Sequence, residues 1–358
     1  LVLPGAEVDD TAERIAGRGL PYAVGRDVLR AQLLARLAGR WAELTGAPPP
    51  DGAAFERTVR NDAGFRAAVD QRWPSVAAAT LVGELLTRPA VLAGAAGGIL
   101  DAAEQRLLRR RRPRAWTPAD AALVDEAKDL IAGQSRTYGH VIVDEAQDLS
   151  PMQLRMLARR CPAGSMTLLG DLAQAVGPWA HRDWRDVGAW LPTPDGLRVV
   201  ELRHGYRSPG QVLELASRLL PEAAPDVAPT RAVRPGRTAP RRLVAGGGVA
   251  GAVAAEAGRL AGEWPTVGVI APAALVGAVA AALPEAGVGE LGRKVTVLAA
   301  EDAKGLEFDS VVVVEPDAIV AERDDRAAGL RLLYVALTRP TQHLSIVAAG
   351  PLPAALAA

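Results

Sequence analysis

Two adjacent carboxylates, Asp144 and Glu145, directly follow an apolar run from Val141 to Val143. Such a run predicts a short buried strand, and open parallel sheets bind their ligands at the carboxyl ends of strands. There, one carboxylate can hold a hydrated magnesium ion while its neighbour activates an attacking water. An isolated Asp-Glu pair would be weak evidence, because acids also cap helices. The stretch continues through Gln147 and Asp148, and it therefore indicates hydrolysis of a magnesium-bound nucleotide.

A glutamine and a Tyr-Arg pair come next along the chain. Gln174 follows a second apolar run, and a glutamine at a strand end can contact a terminal phosphate and polarise water. Tyr206 offers a flat face to a purine, and Arg207 offers a guanidinium fork to phosphate. Alone, each would be an ordinary turn or a surface pair. Their order and spacing after the acidic stretch favour a role in the same nucleotide site.

Two later segments add further groups of this kind. Gly305 permits a tight approach of the backbone, and Glu307 can accept a hydrogen bond from a ribose hydroxyl. Arg339 lies at the end of an apolar helical stretch and is suited to act on a transferring phosphoryl group. The predicted site therefore draws its residues from five separate segments.

The elements that must position these residues alternate between apolar strands and helices from residue 140 onwards. This alternation predicts an α/β fold with a parallel sheet covered on both faces. The residues before about 138 are predicted to be mainly helical, with a helix from Thr117 as N-cap to Ile131, and residues 221–245 are predicted to be a linker. The predicted strands are His140–Asp144, Met166–Asp171, Leu197–Leu202, Val267–Ile270, Val295–Leu298, Ser310–Val314 and Leu344–Val347.

Composition narrows the class of protein. The 358 residues are formally neutral and contain one cysteine, Cys161, which excludes a disulfide framework. No apolar stretch approaches the roughly 20 residues of a membrane span, so we expect a cytoplasmic protein without membrane association. Aromatic residues are only 4% of the chain, which argues against a surface built throughout to bind nucleic acid. The basic run Arg109–Arg114 is interpreted as a solvated helix end rather than a phosphate contact.

The five segments, taken in order, resemble motifs II to VI of superfamily 1 helicases of the UvrD/Rep kind. The resemblance implies RecA-like, P-loop NTPase-type parallel sheets with ATP bound in the cleft between two such domains. It divides the chain into a helical insertion-like segment at 1–115, part of a first RecA-like domain at 116–200 and a complete second one at 201–358. The matching segments are 141–148, 170–174, 201–208, 303–309 and 333–340.

The resemblance also assigns a role to each matching residue, with ATP and Mg²⁺ as the cofactors. Asp144 would hold Mg²⁺ together with Glu145, which would also be the general base. The γ-phosphate would be contacted by Gln174, Arg207 and Arg339. Tyr206 would stack on adenine and Glu307 would bind the ribose. Gly305 would also contribute to nucleotide binding. Trp179 falls where the family places a tryptophan that stacks on a nucleic-acid base.

Two of the departures of the sequence from the family concern the binding of ATP and of nucleic acid. The sequence contains no G-x-x-x-x-G-K-[ST] motif, so we expect a C-terminal portion of a longer protein, with ATP hydrolysis in the full-length protein and negligible ATPase activity in this chain alone. In addition, Ala299, Glu301 and Asp302 occupy positions where the family has Thr, His and Ser in contact with the nucleic-acid strand. Carboxylates there would repel a phosphate backbone.

These departures favour one branch of the superfamily. The stretch from Trp116 to Ala127 and the stretch 144–153 resemble actinobacterial HelD, a family that binds RNA polymerase. The resemblance implies RNA polymerase as partner, ATP-dependent release or recycling of the polymerase as function, and residues 1–115 as a polymerase-contacting region. A UvrD/Rep-type DNA helicase or translocase that binds DNA or RNA non-specifically is the first alternative. A non-catalytic RecA-like binding module is the second.

Overall fold

The computed structural model describes residues 1–112, 115–133, 136–193, 196–246, 248–290, 292–350 and 352–357. The chain forms two compact units: residues 1–141 with 152–165, and residues 142–151 with 166–358. None of the helices in the described ranges combines the length and the apolar composition needed to cross a bilayer.

The first unit is mainly helical, as predicted. Ile15, Leu29, Leu33 and Trp73 form an apolar core between the first helices, each at most 8% exposed. Gly25 is required there, since a Cβ atom would lie 2.5 Å from the Trp73 ring. The helices are α1 Gly5–Ala16, α2 Tyr22–Thr45, α3 Gly52–Asn61, α4 Ala63–Arg72, α5 Ala78–Thr87, α6 Pro89–Ala95, α7 Ala102–Leu108 and α8 Asp120–Ala132.

Helix α8 begins at Asp120, so the prediction of Thr117 as its N-cap is wrong. Asp120 is buried and receives hydrogen bonds from both nitrogens at the end of Arg110 and from the backbone N–H and hydroxyl of Thr117. The carboxylate therefore ties the preceding loop to the helix start, with Thr117 as donor rather than acceptor. Arg110, a member of the basic run, therefore has a structural partner in Asp120. Pro113 and Arg114 of the same run lie outside the described residues.

The apolar strand that precedes the acidic pair and the segments after it form short elements. Strand β1 Val141–Val143 pairs with β2 Met166–Leu168, and α9 Pro151–Arg160 lies between them in sequence. Cys161 follows α9 and is buried. Helix α10 Trp184–Gly188, the strand pair β3 His204–Gly205 and β4 Arg231–Ala232, and helices α11 Gly210–Ser217 and α12 Leu220–Ala223 come next.

A six-stranded sheet forms the centre of the second unit. Its order is β5-β10-β9-β6-β8-β7, and every neighbouring pair is parallel. Along β9, Val311 and Val313 pack into one apolar cluster, and Val312 and Val314 pack into another. The sheet is therefore covered on both faces, and the predicted α/β class is confirmed. The strands are β5 Arg241–Val244, β6 Val267–Ala271, β7 Gly287–Val288, β8 Val295–Ala299, β9 Phe308–Val314 and β10 Pro340–Ala348.

Helices cover this sheet between the strands. Helix α13 packs on β6, β9 and β10, while α14 packs on β8 and α16 on β9. Helices on the crossover connections are what parallel strands in one sheet require. The helices are α13 Val249–Glu263, α14 Ala273–Ala281, α15 Pro316–Val320, α16 Arg326–Leu337 and α17 Ala354–Ala357.

Three sequence predictions about this unit are wrong. The strand at 141–143 forms but is not buried, because Ile142 is 69% exposed. Residues 197–202 form no strand, and Val200 and Leu202 are exposed by 64% and 80%, since no neighbouring strand among the described residues offers them an edge. Conversely, the predicted linker 221–245 contains β5, the edge strand of the central sheet. Its sequence begins with Arg241 and Arg242, and charged residues are common on edge strands, which is why apolar patterning missed it.

Candidate functional site

The acidic pair lies at the end of β1, in a backbone conformation that L residues seldom adopt. Glu145 has φ 53°, in the left-handed region, which costs on the order of 1 kcal/mol outside glycine. The backbone N–H of Glu145 donates to Asp144 Oδ1 over 2.9 Å, and Glu145 Oε2 accepts from Gln147 Nε2 over 2.7 Å. Strained backbone of this kind is concentrated at functional sites. The turn fixes the Glu145 carboxylate while Asp144 stays exposed.

Gln147 connects this turn to the end of β2. Its side chain is completely buried, and its Oε1 accepts from the backbone N–H of Asp171 over 3.2 Å. Gly170 makes this approach feasible, because a Cβ atom there would lie 2.1 Å from Gln147 Oε1. The two strand ends are thereby held together by one side-chain amide.

Gln174 lies on the short turn that follows β2. Its Nε2 donates to Asp171 Oδ2 over 2.9 Å, and its Oε1 accepts from Arg339 Nη2 over 2.7 Å. Arg339, 165 residues further along the chain, is only 2% exposed and also donates to the carbonyl of Val335 over 2.9 Å. The end of α16 therefore delivers a fixed guanidinium to the predicted phosphate-sensing glutamine.

Lys304 places a positive charge beside the acidic turn. Its Nζ contacts Glu145 Oε2 at 3.3 Å, forms an ion pair with Asp148 and donates to the Gln174 carbonyl over 2.8 Å. Asp148 in turn accepts from the backbone N–H of Gly177 over 3.1 Å. Lys304, on the turn after β8, thus contacts residues on the turns after β1 and β2.

The pKa values of the charged groups follow from these contacts. Burial raises the pKa of the Glu145 carboxyl, but the hydrogen bond from Gln147 and the charge of Lys304 outweigh it, so that the pKa is lowered overall. Burial lowers the pKa of the Arg339 guanidinium, and the charge of Arg207 lowers it further. Arginine nevertheless keeps its proton at neutral pH. Glu145 is therefore an anion and Arg339 a cation under ordinary conditions.

The remaining predicted residues are more exposed than this cluster. Arg207 Nη2 and Glu307 Oε1 form an ion pair at 2.5 Å, and both side chains are about half exposed. Tyr206 is 70% exposed and Trp179 is 54% exposed. Gly305 has φ +76° with no atom within 4 Å of a Cβ position, so glycine is needed there for its backbone conformation rather than for space. The structure thus pairs the predicted ribose acceptor with a predicted phosphate ligand.

The donor set fits a nucleotide-bound magnesium ion. Among the described residues, no three His, Cys, Asp or Glu side chains are grouped to hold a metal by themselves. Mg²⁺ is commonly held by one or two carboxylates, with water and substrate phosphate completing its shell. The exposed Asp144 carboxylate beside Glu145 supplies that kind of partial site.

Sequence reasoning gave no role to four residues of this cluster: Gln147, Asp148, Asp171 and Lys304. All four lie inside the recognised segments, one to three residues from a predicted site residue. Adjacency was the only signal available, because the contacts of Lys304 span 156 residues to Asp148. Only the folded chain shows which of these neighbours face the site.

Comparison with known proteins bears on the C-terminal part of the chain. Residues 294–347 match the family model described as the UvrD-like helicase C-terminal domain, and they include Lys304, Glu307 and Arg339. Within residues 294–347 the chain is therefore similar to the C-terminal domain of UvrD-like helicases. This confirms the UvrD/Rep resemblance at its coarser level, whereas the HelD-specific resemblance stays a prediction.

Two similar proteins illustrate this relationship. A stretch of 101 residues is 26% identical to ATP-dependent DNA helicase Rep of Buchnera aphidicola subsp. Acyrthosiphon pisum (strain APS), covering 27% of this chain and 15% of that protein. The match therefore spans only a small part of the length of this relative. A crystal structure of the C-terminal domain of a possible DNA helicase from Lactobacillus plantarum WCFS1 is 26% identical, with a TM-score of 0.35, covering 43% of this chain and 92% of that chain.

Proposed function

We propose that the cluster around Glu145, Gln174 and Arg339 is the γ-phosphate end of an ATP site in a superfamily 1 helicase-like motor, of which this chain is the C-terminal part. One observation carries the proposal: the buried Arg339 guanidinium donates to Gln174 Oε1 over 2.7 Å. A cation and an amide fixed together beside an acidic strand end are what phosphoryl transfer to water requires, since catalysis there depends on positioning and charge.

Each side chain then has a defined task. Glu145 takes the proton of the attacking water, and Gln174 and Arg339 bind the γ-phosphate oxygens. Asp144 holds Mg²⁺, which supplies neutralisation of phosphate charge when bound. Arg207 is the outer phosphate ligand, and its ion pair with Glu307 opens when the nucleotide enters.

The nucleoside end of the site uses the more exposed residues. Tyr206 presents its ring to adenine, and Glu307 accepts from the ribose beside Gly305. The exposure of Tyr206, at 70%, supports this role because a ring buried in the protein core would have no face left for a base.

Replacing Glu145 with glutamine tests the nucleotide site. We expect Glu145→Gln in the protein at its full natural length to lower kcat for ATP hydrolysis by about 10²-fold or more, because a general base is lost. Glu285→Gln, at an exposed carboxylate of the same unit, is the matched control and should retain the wild-type rate. Wild-type turnover by Glu145→Gln would reject the site and favour the non-catalytic binding module.

We further propose that the motor is HelD-like and couples ATP hydrolysis to release or recycling of RNA polymerase. The support is the HelD-like sequence around residues 116–127, together with the charge of Glu301 and Asp302. Glu301 Oε2 lies 3.2 Å from Arg323 Nη2, and the side chain of Glu301 is 57% exposed. Carboxylates on this turn disfavour a nucleic-acid backbone beside it.

A UvrD/Rep-type DNA helicase is the second candidate, favoured by the similarity to Rep and by the exposed ring of Trp179, which is suited to stack on a base. Steady-state ATPase assays and a binding assay with purified RNA polymerase, both on the full-length protein, separate the two. A HelD-like motor should bind purified RNA polymerase and show little stimulation by single-stranded DNA. Strong stimulation by DNA that falls steeply as salt rises, without polymerase binding, would establish the helicase instead.

A further inference from the structure

Gln147 is the most completely buried polar side chain next to the acidic turn, and no role follows for it from the proposed phosphate contacts. Its amide makes two hydrogen bonds of opposite polarity: Nε2 donates to Glu145 Oε2 over 2.7 Å, and Oε1 accepts from the Asp171 N–H over 3.2 Å. A carboxylate requires a donor and an N–H requires an acceptor. The two partners therefore determine the orientation of the amide, and no apolar or acidic side chain of this length satisfies both.

The surroundings of Gln147 are shaped to this contact. The residue at position 170 has to be glycine, since a Cβ atom would lie 2.1 Å from Gln147 Oε1 and 2.9 Å from the Trp184 ring. On the other side, the carbonyl of Gln147 accepts from the His181 N–H over 3.2 Å, which anchors its backbone. These contacts restrain both the side chain and the backbone of Gln147.

The bonds of Gln147 are part of a continuous chain. Glu145 is bonded to Gln147, Gln147 to the backbone N–H of Asp171, the Asp171 carboxylate to Gln174, and Gln174 to Arg339. Four hydrogen bonds, linked through the backbone and side chain of Asp171, thus join the predicted general base to the predicted phosphate-binding arginine. Such networks have effects that exceed the sum of their individual bonds.

We propose that Gln147 is a positioning residue that fixes the Glu145 carboxylate for attack and couples it to the Gln174–Arg339 pair. The bond from Gln147 and the contact from Lys304 are both made to Oε2, so this oxygen sets the rotation of the carboxylate. The inference rests on the proposed ATP hydrolysis. It adds a residue that acts through Glu145 without touching the nucleotide.

The test compares Gln147→Met and Gln147→Glu with wild type in steady-state ATP hydrolysis by the full-length protein. Both variants lack the amide N–H that donates to Glu145, and Gln147→Met has no donor of any kind. Each should lower kcat, with Gln147→Met lowering it roughly 10- to 100-fold, the range typical when a group that orients a functional side chain is removed. The KM for ATP should change by less than about threefold, because Gln147 does not contact the nucleotide. Thermal melting and circular dichroism verify that each variant is folded.

Gln211→Glu is the matched control for a general packing effect. Like Gln147, Gln211 accepts from a backbone N–H through its Oε1, in this case that of Gly236 over 2.6 Å, and a Cβ atom at Gly236 would lie 2.2 Å from that oxygen. It lies outside the hydrogen-bonded chain from Glu145 to Arg339. We expect this variant to retain the wild-type kcat even if its melting temperature falls.

A double variant decides whether Gln147 acts through Glu145. If it does, Gln147→Met should leave the residual rate of Glu145→Gln unchanged, since the group to be positioned is already gone. A further 10- to 100-fold drop of kcat in the double variant would overturn this inference while leaving the ATP site intact. A wild-type kcat in both Gln147→Met and Gln147→Glu would do the same. Full activity in Glu145→Gln alone would remove the proposed function and this inference with it.

Discussion

At the scale of single residues, the site depends on one left-handed glutamate and one glycine. Glu145 has φ 53°, and Gly170 admits the Gln147 amide against the end of β2. The left-handed backbone of Glu145 lowers intrinsic stability and sets the direction of its carboxylate. The glycine at position 170 leaves space for the amide that donates to this carboxylate. The arrangement is therefore sensitive to small changes in volume near Gln147.

Gly170→Ala should displace the Gln147 amide and lower both stability and activity. The added methyl group overlaps Gln147 Oε1, and overpacking of this kind costs about 1–3 kcal/mol. Urea denaturation gives the free energy of unfolding, and ATP turnover gives the activity. Gly277→Ala is the control, because nothing lies within 4 Å of a Cβ position there and alanine favours a helix such as α14. Equal stability of Gly170→Ala and wild type would show that the contact is not tight.

The residues with predicted roles could be identified because they occur in short segments of recognisable residue types and order. Their hydrogen-bonding partners could not be identified in this way. Glu145, Gln174 and Arg339 were named from the sequence, and the structure brings them into one cluster. Gln147 and Lys304 were overlooked because an amide and a lysine beside a motif have no distinctive spacing. Their importance lies in bonds to residues that are distant in sequence or on a different turn.

At the scale of elements, Asp120 shows how one carboxylate holds a helix start in the first unit. Arg110 first, and then the donors of Thr117, lower the pKa of Asp120 from 3.8 to about 2, against the opposing effect of burial. A carboxyl whose pKa is lower in the folded state stabilises the fold above pH 3.8, and this contribution disappears as the pH falls towards 2. The shift corresponds to about 2 kcal/mol.

Asp120→Asn should therefore destabilise the protein by about 2 kcal/mol at pH 7, and the difference from wild type should shrink between pH 4 and pH 2. Urea denaturation at a series of pH values measures this. The exposed Asp10→Asn serves as control and should have no comparable effect. A difference for Asp120→Asn that stays constant down to pH 2 would mean that the ion pair with Arg110 does not stabilise the fold.

Elements were predictable where burial alone decides their pattern. Strands β6, β8 and β9 are buried on both faces, so their sequences are almost continuously apolar and were located within one or two residues. Residues 197–202 have a similar composition but no strand partner among the described residues. At the other extreme, β5 lies at a sheet edge and carries arginines. A strand depends on its neighbours, which a local pattern does not contain.

At the scale of the whole molecule, the formal charge is zero and aromatic residues are few, so nucleic-acid recognition must be local if it occurs. The cluster around Glu145, Gln174 and Arg339 is equally local: every residue of it lies within 142–151 or 166–358, the second compact unit. The family match to residues 294–347 covers only the later members of this cluster. The earlier members are joined to them by the contacts of Lys304 and Arg339.

The central claim is that these segments form one γ-phosphate site, and comparing the dissociation constants of ATP and ADP tests it most directly. The measurement uses the full-length protein, Arg339→Lys, and the exposed Arg237→Lys as control, with melting temperatures to verify folding. Lysine keeps the charge but loses the guanidinium fork. We predict that Arg339→Lys weakens ATP binding about tenfold or more, equivalent to about 1.4 kcal/mol, and leaves ADP binding unchanged. Equal weakening of both nucleotides, or no change in either, would contradict the account.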